Sequence, residues 1–218
     1  MSLRTEKIIG IIMLAIMAGF ALWGQANISE TQMAVHFDLN GSPNGFAPTK
    51  EGVWILPGIS AVVMGLMLWV LPHIMPKSAS IDRFPGVYGL MVLSIFALLT
   101  VTQAMLILSA AGMAIDHIRI AFSGIGLLFI ILGNFMPKMR KNWLIGIRTP
   151  WTLSDDRVWD RTHRFAGPLF VLGGLITLLG ALFAPVTWRS PLLIGSVLIV
   201  TVVSYGYSYF AARRLKLV

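Results

Sequence analysis

Residues 87–111 read VYGLMVLSIFALLTVTQAMLILSAA and contain no charged side chain. An apolar run of about 20 residues is long enough to cross the hydrocarbon core of a bilayer. Such a run must be helical, because lipid offers the backbone no hydrogen-bond partners. Five other runs are nearly as apolar, and the six together are Ile8–Ala26, Val53–Leu71, Val87–Ala111, Ile118–Met136, Phe165–Ala184 and Leu192–Ala212. The sequence therefore predicts an all-α, polytopic transmembrane bundle of six helices.

The composition supports a membrane protein. Charged residues make up 12% of the chain, whereas a soluble domain has about 25%, so the charges are too few to cover a water-exposed globule. The chain has no cysteine, which excludes disulfides, thiolate metal sites and a cysteine nucleophile. The first run follows Arg4 and Lys7, as in a signal peptide. It has the length of a full span, and no small-x-small cleavage site followed by a soluble domain appears, so we expect a retained helix.

The basic residues predict the orientation of the bundle. Of the 17 Lys and Arg residues, 14 fall on one side of the predicted spans, and the exceptions are Lys50, Arg119 and Arg189. Basic residues concentrate in cytoplasmic connections, so both termini are predicted to be cytoplasmic. The net charge of +8 then reflects topology, and no direct nucleic-acid partner is expected. The sequence divides into residues 1–76, two helices with an external loop at 27–52, and residues 77–218, four helices with a basic cytoplasmic loop at 137–164.

The external loop contains His36, Asp38, Asn40 and Gly41 within the stretch HFDLNGSPNG. Asp, Asn and Gly favour tight turns, so we interpret the stretch as a turn with solvated side chains. Its oxygen atoms also suit a hard cation, but the spacing does not match an EF-hand, and no metal site is expected.

The basic loop carries seven Lys or Arg residues and the indoles of Trp143, Trp151 and Trp159. Indoles prefer the headgroup region, so the loop is predicted to lie against the inner leaflet. Pro150 is expected to end one segment. A short amphipathic helix is expected from about 155 to 163, running along the membrane surface before it turns into the fifth span. The positive charges either orient the protein or bind an anion, a lipid headgroup or an acidic partner.

Asp160 and His163 share a face of that short helix because they are three residues apart. One His and one Asp form an incomplete metal site, so we expect a hydrogen bond between them that orients the imidazole. The loop contains neither a His-Glu-x-x-His zinc motif nor a P-loop.

Polar residues within the spans are few. Thr100, Thr102 and Gln103 are predicted to form interhelical hydrogen bonds, and Asn134 to cap the fourth span. Ala61-x-x-x-Gly65 and Gly180-x-x-x-Ala184 permit close helix contacts.

The sequence leaves three classes of function open. No buried carboxylate is available for proton coupling, which disfavours a transporter or flippase of a lipid or small amphiphile. No serine, histidine and acid lie at one membrane depth, so an enzyme is not expected and no cofactor is predicted. A binding or signalling protein remains the preferred class.

The stretch GNFMPKMRKNWLIGIRTPWTLS at 133–154, followed by Val158-Trp159 and Thr162-His163-Arg164, resembles the signature of the SdpI family. The shared pattern is Gly-Asn, a basic linker, Gly-x-Arg-Thr-Pro-Trp-Thr-Leu, and Trp-x-x-Thr-His. HFDLNG at 36–41, followed by Lys50, is similar to a short domain of unknown function that often precedes the SdpI region. The family signature includes Asn134, Arg148, Thr149, Pro150, Trp151, Trp159 and His163.

This resemblance implies a bacterial immunity protein in the cell membrane. Family members are described as protecting the cell from a secreted antimicrobial peptide toxin that collapses the membrane potential. The namesake is also described as a receptor that holds a transcriptional repressor at the membrane. The expected partners are therefore a peptide toxin, membrane lipids and a cytoplasmic repressor.

Overall fold

The structure is a computed structural model that describes residues 3–74 and 84–217. Within these residues, six helices have the length and hydropathy of membrane spans, so the predicted bundle is confirmed. The helices are α1 (Arg4–Asn27), α2 (Thr49–Gly65) with a π-helical turn (Leu66–Val70) and α3 (Leu71–Ile74), α4 (Pro85–Ala110), α5 (His117–Phe135) with a 3₁₀ turn (Met136–Lys138), α6 (Pro150–Ser154), α7 (Asp156–Phe183) and α8 (Val186–Arg214). The predicted cytoplasmic residues Lys77 and Arg83 lie outside the described residues.

The external loop folds into an antiparallel hairpin of β1 (Gln32–Phe37) and β2 (Pro43–Pro48). The hairpin packs on the neighbouring spans through two contacts. Met33 is buried beside Gly52 of α2, and the ring of Phe37 stacks on His117 of α5 with centroids 4.1 Å apart. The sequence did not predict these strands, because Pro and Gly are typical of turns and β2 contains Pro43, Gly45 and Pro48.

α5 and α7 approach so closely that their backbones touch at two pairs of glycines. A Cβ atom at Gly133 would lie 2.6 Å from the carbonyl oxygen of Gly167, and one at Gly126 would lie 2.8 Å from that of Gly174. Small residues permit such contact between membrane helices. The close contact predicted at Gly65 is wrong, because a Cβ there meets nothing within 4 Å among the described residues.

Two prolines interrupt the hydrogen bonds of the second span, and α4 compensates for both. Pro57 lacks the N–H that would bond the carbonyl oxygen of Val53, and Gln103 Nε2 donates to that oxygen at 3.3 Å and to Met17 O at 3.0 Å. In the π-helical turn, Leu71 N–H donates to Leu66 O. The following residue, Pro72, has no N–H to donate to Met67 O. That oxygen accepts instead from the hydroxyl of Tyr88 at 2.7 Å.

The prediction of interhelical hydrogen bonds is therefore confirmed for Gln103 and wrong for the two threonines. Thr100 and Thr102 donate to Phe96 O and Leu98 O within α4.

The fifth span is continuous with the segment before it. The structure has one helix of 28 residues from Asp156 to Phe183, so the prediction of a separate surface helix at 155–163 is wrong. Asp155 caps α7 and accepts a hydrogen bond from Arg157 N–H at 2.7 Å. Because Val158, Trp159, Thr162 and His163 are buried, this first part of α7 packs into the protein and continues into the bundle as one helix.

The orientation of the bundle remains a prediction, which single cysteines can test because the native chain has none. Asn40 in the hairpin turn and Ser154 in the basic loop are both exposed. In intact cells, Asn40→Cys is expected to react with a membrane-impermeant maleimide, and Ser154→Cys only after the membrane is permeabilised. The opposite pattern would place both termini outside.

Candidate functional site: the basic loop

The basic loop, residues 137–164, folds around side chains that bond its own backbone. Asn142 is 1% exposed, and its Oδ1 accepts from the N–H groups of Leu144 and Ile145 at 2.8 and 2.9 Å. Its Nδ2 donates to Arg140 O at 2.9 Å. A buried side chain thus supplies the bonds that this irregular backbone needs.

Thr149 and Thr152 form the start of α6. The N–H of Thr152 donates to Thr149 Oγ1, and the N–H of Thr149 donates to Thr152 Oγ1 at 2.9 Å, which is a reciprocal capping box. The hydroxyl of Thr152 also donates to Ile147 O at 2.7 Å. Pro150 occupies the first helical turn, where its missing N–H costs nothing. The expectation that Pro150 ends a segment is therefore wrong, since it begins α6.

Trp159 and His163 are buried under the loop and stack with centroids 4.1 Å apart. The indole N–H of Trp159 donates to Met139 O at 3.0 Å. His163 Nε2 accepts from the N–H of Ile147 at 3.0 Å, so the ring is neutral and its Nδ1–H donates to Trp159 O at 2.9 Å. The imidazole is oriented by backbone groups, and the predicted bond to Asp160 is wrong. Trp159 also departs from the prediction that the loop indoles lie at the headgroups.

Gly146 completes this cluster. Its φ is +112°, a conformation that residues with a side chain rarely adopt. A Cβ there would lie 2.6 Å from His163 Nε2 and 3.1 Å from Trp159. We call the buried residues Asn142, Thr149, Thr152, Trp159 and His163 the buried frame of the loop, and Gly146 packs against it.

The other signature residues lie at the surface. Asn134, Arg148 and Pro150 are exposed, and Trp151 is half-buried with its ring edge-on to Tyr205 and Tyr209 of α8 at 5.4 and 5.1 Å. Asn134 Nδ2 donates to Ile130 O within α5, and the chain continues as helix to Lys138, so the predicted cap at Asn134 is wrong.

The positive charges of the loop are only partly neutralised. Arg157 pairs with Asp155 at 2.9 Å and Lys141 with Asp156 at 2.5 Å. The hydrogen bonds from the Arg157 side chain lower the pKa of Asp155 to about 2. Several other basic side chains are exposed, and in the described part of the chain they form no ion pair: Lys138, Arg140, Arg148, Arg161 and Arg164. The loop therefore presents a cationic surface suited to an anionic partner.

On the opposite side, the hairpin turn follows the sequence prediction. Asp38 Oδ1 accepts from the N–H groups of Asn40 and Ser42 at 2.8 and 2.9 Å, which is an Asx turn. Gly41 has φ +85°, and His36 Nδ1 lies 2.5 Å from Asn44 Oδ1. Across residues 3–74 and 84–217, no three His, Asp or Glu side chains are close enough to hold a metal ion.

An ion pair near the hairpin was not predicted. Arg189 NH1 donates to Asp116 Oδ2 at 2.8 Å, and the Arg189 side chain is only 8% exposed. Burial alone raises the pKa of Asp116, but hydrogen bonds from Arg119 N–H and Arg189 bring the pKa below its usual value. The pair joins the connection between α4 and α5 to α8. The sequence signal for this pair is weak, because each residue is only a charge next to the end of an apolar run, and the two are 73 residues apart.

The fold and the basic loop define a polytopic α-helical membrane protein with a folded, cationic loop between its fourth and fifth spans. Residues 138–208 match the family model described as the SdpI/YfhL protein family, and residues 10–61 match a domain of unknown function, DUF1648. The resemblance of the basic loop to the SdpI family is thus confirmed over residues 138–208.

A curated relative gives the family its functional context. The chain is 34% identical over 119 residues to "Immunity protein SdpI" of Bacillus subtilis (strain 168). The alignment covers 55% of this chain and 57% of that protein, so it spans little more than half of either. No solved structure matches the chain significantly.

Proposed function

We propose that this protein is a membrane immunity protein that protects its cell from a secreted antimicrobial peptide. The observation that carries the proposal is the identity of 34% with immunity protein SdpI over 119 residues. In this proposal the protein acts by binding, without catalysis. Residues 1–76 and 77–218 serve as its two domains, and each of the two family models lies within one of them.

Toxin recognition is assigned in this proposal to the hairpin side, with His36 near the end of β1 and Asp38, Asn40 and Gly41 in the turn. The hairpin is suited to the task because it is anchored on the spans through Met33 and Phe37. A peptide bound there can change the opposite side only if it binds two states of the bundle with different affinities.

The signalling surface of the proposal is the cytoplasmic loop with Arg148 at its centre. Arg148 lies between Ile147, whose N–H and C=O bond His163 and Thr152, and Thr149, which caps α6. The backbone on both sides is therefore fixed while the guanidinium is exposed. A planar guanidinium binds carboxylates and phosphates bidentately, so we propose that an acidic protein, such as a repressor, docks on this surface.

A transporter or flippase is the competing function. Transporters bind their substrates near the bilayer midplane, typically beside broken helices that supply polar groups. The groove between α1, α4 and α5 is instead lined almost wholly by apolar side chains, which favours the immunity proposal.

The test is the membrane potential of toxin-sensitive cells, followed with a potential-sensitive dye during exposure to amphipathic peptide toxins. Cells that express the protein are expected to keep their potential. Arg148→Ala is expected to remove protection at unchanged membrane abundance, because its side chain supports no buried contact. Arg213→Ala removes the same charge from an exposed position at the end of α8, outside the basic loop, and is expected to retain protection.

Two results would count against the proposal. Loss of the potential in cells with confirmed membrane expression, across the whole peptide panel, would contradict the immunity function. Full protection by Arg148→Ala at matched abundance would remove Arg148 from the site while leaving the function intact.

A further inference from the structure

A long apolar groove runs along the membrane-facing side of the bundle. α4 forms its floor, and α1 and α5 flank it. Its volume is about 910 Å³, and it is open on one side. Most of its wall consists of aliphatic side chains such as Leu90, Leu93, Leu98, Leu127 and Ile131. A membrane fills such a groove with apolar material, so the question is whether its polar ends select a particular occupant.

The end of the groove near the hairpin has an excess of positive charge. Arg119 lines the groove there, and its side chain is 50% exposed. Its neighbour Asp116 lies 3.5 Å from Arg119 Nε but is bonded at 2.8 Å to the buried Arg189. Two guanidinium groups thus share one carboxylate, and Arg119 has no second carboxylate partner within the described residues. An anion at this end would balance the remaining charge.

Ser123 adds a second polar group on the same wall. It lies four residues after Arg119, so the two side chains are on one face of α5, about 6 Å apart along the axis, and both line the groove. The hydroxyl of Ser123 is buried and has no hydrogen-bond partner among residues 3–74 and 84–217. An unpaired buried hydroxyl is costly, so a ligand group that bonds it would be stabilised.

Beyond Ser123 the wall of α5 becomes apolar through Leu127, Leu128 and Ile131. The distance from Arg119 to Ile131 is about 18 Å along the helix, close to the ~15 Å depth of one leaflet of the hydrocarbon core. The order along the wall is therefore a cation, a hydroxyl and an apolar channel. A phospholipid has the matching order of phosphate, ester carbonyl and acyl chain.

We propose that this groove binds one phospholipid from the leaflet on the hairpin side, with its phosphate on Arg119, an ester carbonyl on Ser123 and an acyl chain along α4 and α5. Its net positive charge selects an anionic lipid over a zwitterionic one. The only other charged residue among the described lining residues is Glu6, at the far end. Its carboxylate repels an anionic headgroup from the opposite leaflet, so the site has a direction.

The first experiment is native mass spectrometry of the full-length protein, delipidated in mild detergent and titrated with phosphatidylglycerol. Diacylglycerol with the same acyl chains serves as the phosphate-free probe. Phosphatidylglycerol is expected to bind at least tenfold more tightly than diacylglycerol. Arg119→Gln is expected to weaken it about tenfold, as for loss of one charge-assisted hydrogen bond.

Three variants make the result specific. Lys50→Gln removes an exposed cation from the hairpin side, outside the groove, and is expected to bind phosphatidylglycerol like the native protein. Ser123→Ala and Leu127→Trp leave the charge unchanged while removing the hydroxyl or filling the channel, and both are expected to weaken binding. If Arg119→Gln fails to fold, Ser123→Ala and Leu127→Trp still test the proposal. Equal binding by the native protein and all groove variants would overturn the proposal.

A photoreactive residue at position 127 identifies the occupant in intact membranes. An adduct with the mass of a phospholipid is expected. A crosslink to a second copy of the chain or to a peptide, without a lipid adduct, would show a different occupant and overturn the proposal. This inference does not depend on the immunity function, since lipid binding is measured without toxin.

Discussion

Gly133→Leu is expected to separate α5 from α7 and to prevent accumulation of folded protein in the membrane. A Cβ at this position would lie 2.6 Å from Gly167 O and 2.8 Å from Val171 N. Both obstacles are backbone atoms, which cannot move aside by changing a rotamer. Overpacking a well-packed core lowers the free energy of unfolding by ~1–3 kcal/mol, occasionally more. Because the leucine side chain is long, we expect a loss at or above the upper end of this range.

The measurement is the thermal unfolding of purified protein in detergent, together with its abundance in membranes. Gly133→Ala is expected to lower the melting temperature by about 10 °C, from a loss of ~3 kcal/mol in a chain of this size. Gly19→Leu is the matched control, because Gly19 is helical and exposed and nothing lies within 4 Å of its Cβ position. A native melting temperature for Gly133→Leu would mean that α5 and α7 do not cross at this glycine.

The six spans were predictable because length and hydropathy alone identify a membrane helix. The partner of each helix was not predictable in the same way. Gly126 and Gly133 are seven residues apart, as are Gly167 and Gly174, but this spacing has meaning only once the two helices are antiparallel and adjacent. The sequence pointed to Gly65, which faces open space.

The hydrogen-bond acceptor of Gln103, next to Pro57, was also not predictable from the sequence. Each residue is unusual within its apolar span, and the sequence predicted that Gln103 bonds another helix. The acceptor became clear only in the structure, where α2 lies beside α4 and the proline leaves Val53 O without its helical donor. Tyr88 and Pro72 repeat this arrangement 15 residues along each helix.

For the candidate site, the sequence identified the relevant loop but not the roles of its residues. Motif residues such as Thr149, Trp159 and His163 suit either a binding surface or a folded core, and their types do not distinguish the two. The structure buries these three and exposes Arg148. Asp116 and Arg189 were missed because their pairing depends on the folded chain, 73 residues apart.

Gly146→Ala is expected to unfold the basic loop locally while the membrane bundle remains folded. The positive φ of +112° costs a residue with a Cβ about 1–2 kcal/mol. The added methyl group would lie 2.6 Å from His163 Nε2. If the ring moves away, the Ile147 N–H loses its acceptor, which costs a further ~1–3 kcal/mol. The sum exceeds the free energy that holds many surface loops closed.

Gly112→Ala is the control for a positive-φ glycine substituted outside the basic loop. Gly112 also has a positive φ, +91°, but a Cβ there meets nothing within 4 Å in the described part of the chain, so only the backbone strain applies. Amide hydrogen exchange at Ile147 is expected to accelerate in Gly146→Ala and to stay at the native rate in Gly112→Ala. Trypsin cleavage after Arg148 should change in parallel, because the protease needs a locally unfolded chain.

Native exchange at Ile147 in Gly146→Ala would mean that the loop does not depend on the contact between Gly146 and His163. With accelerated exchange, loss of protection by Gly146→Ala but not Gly112→Ala would link the buried frame to the proposed function through the position of Arg148.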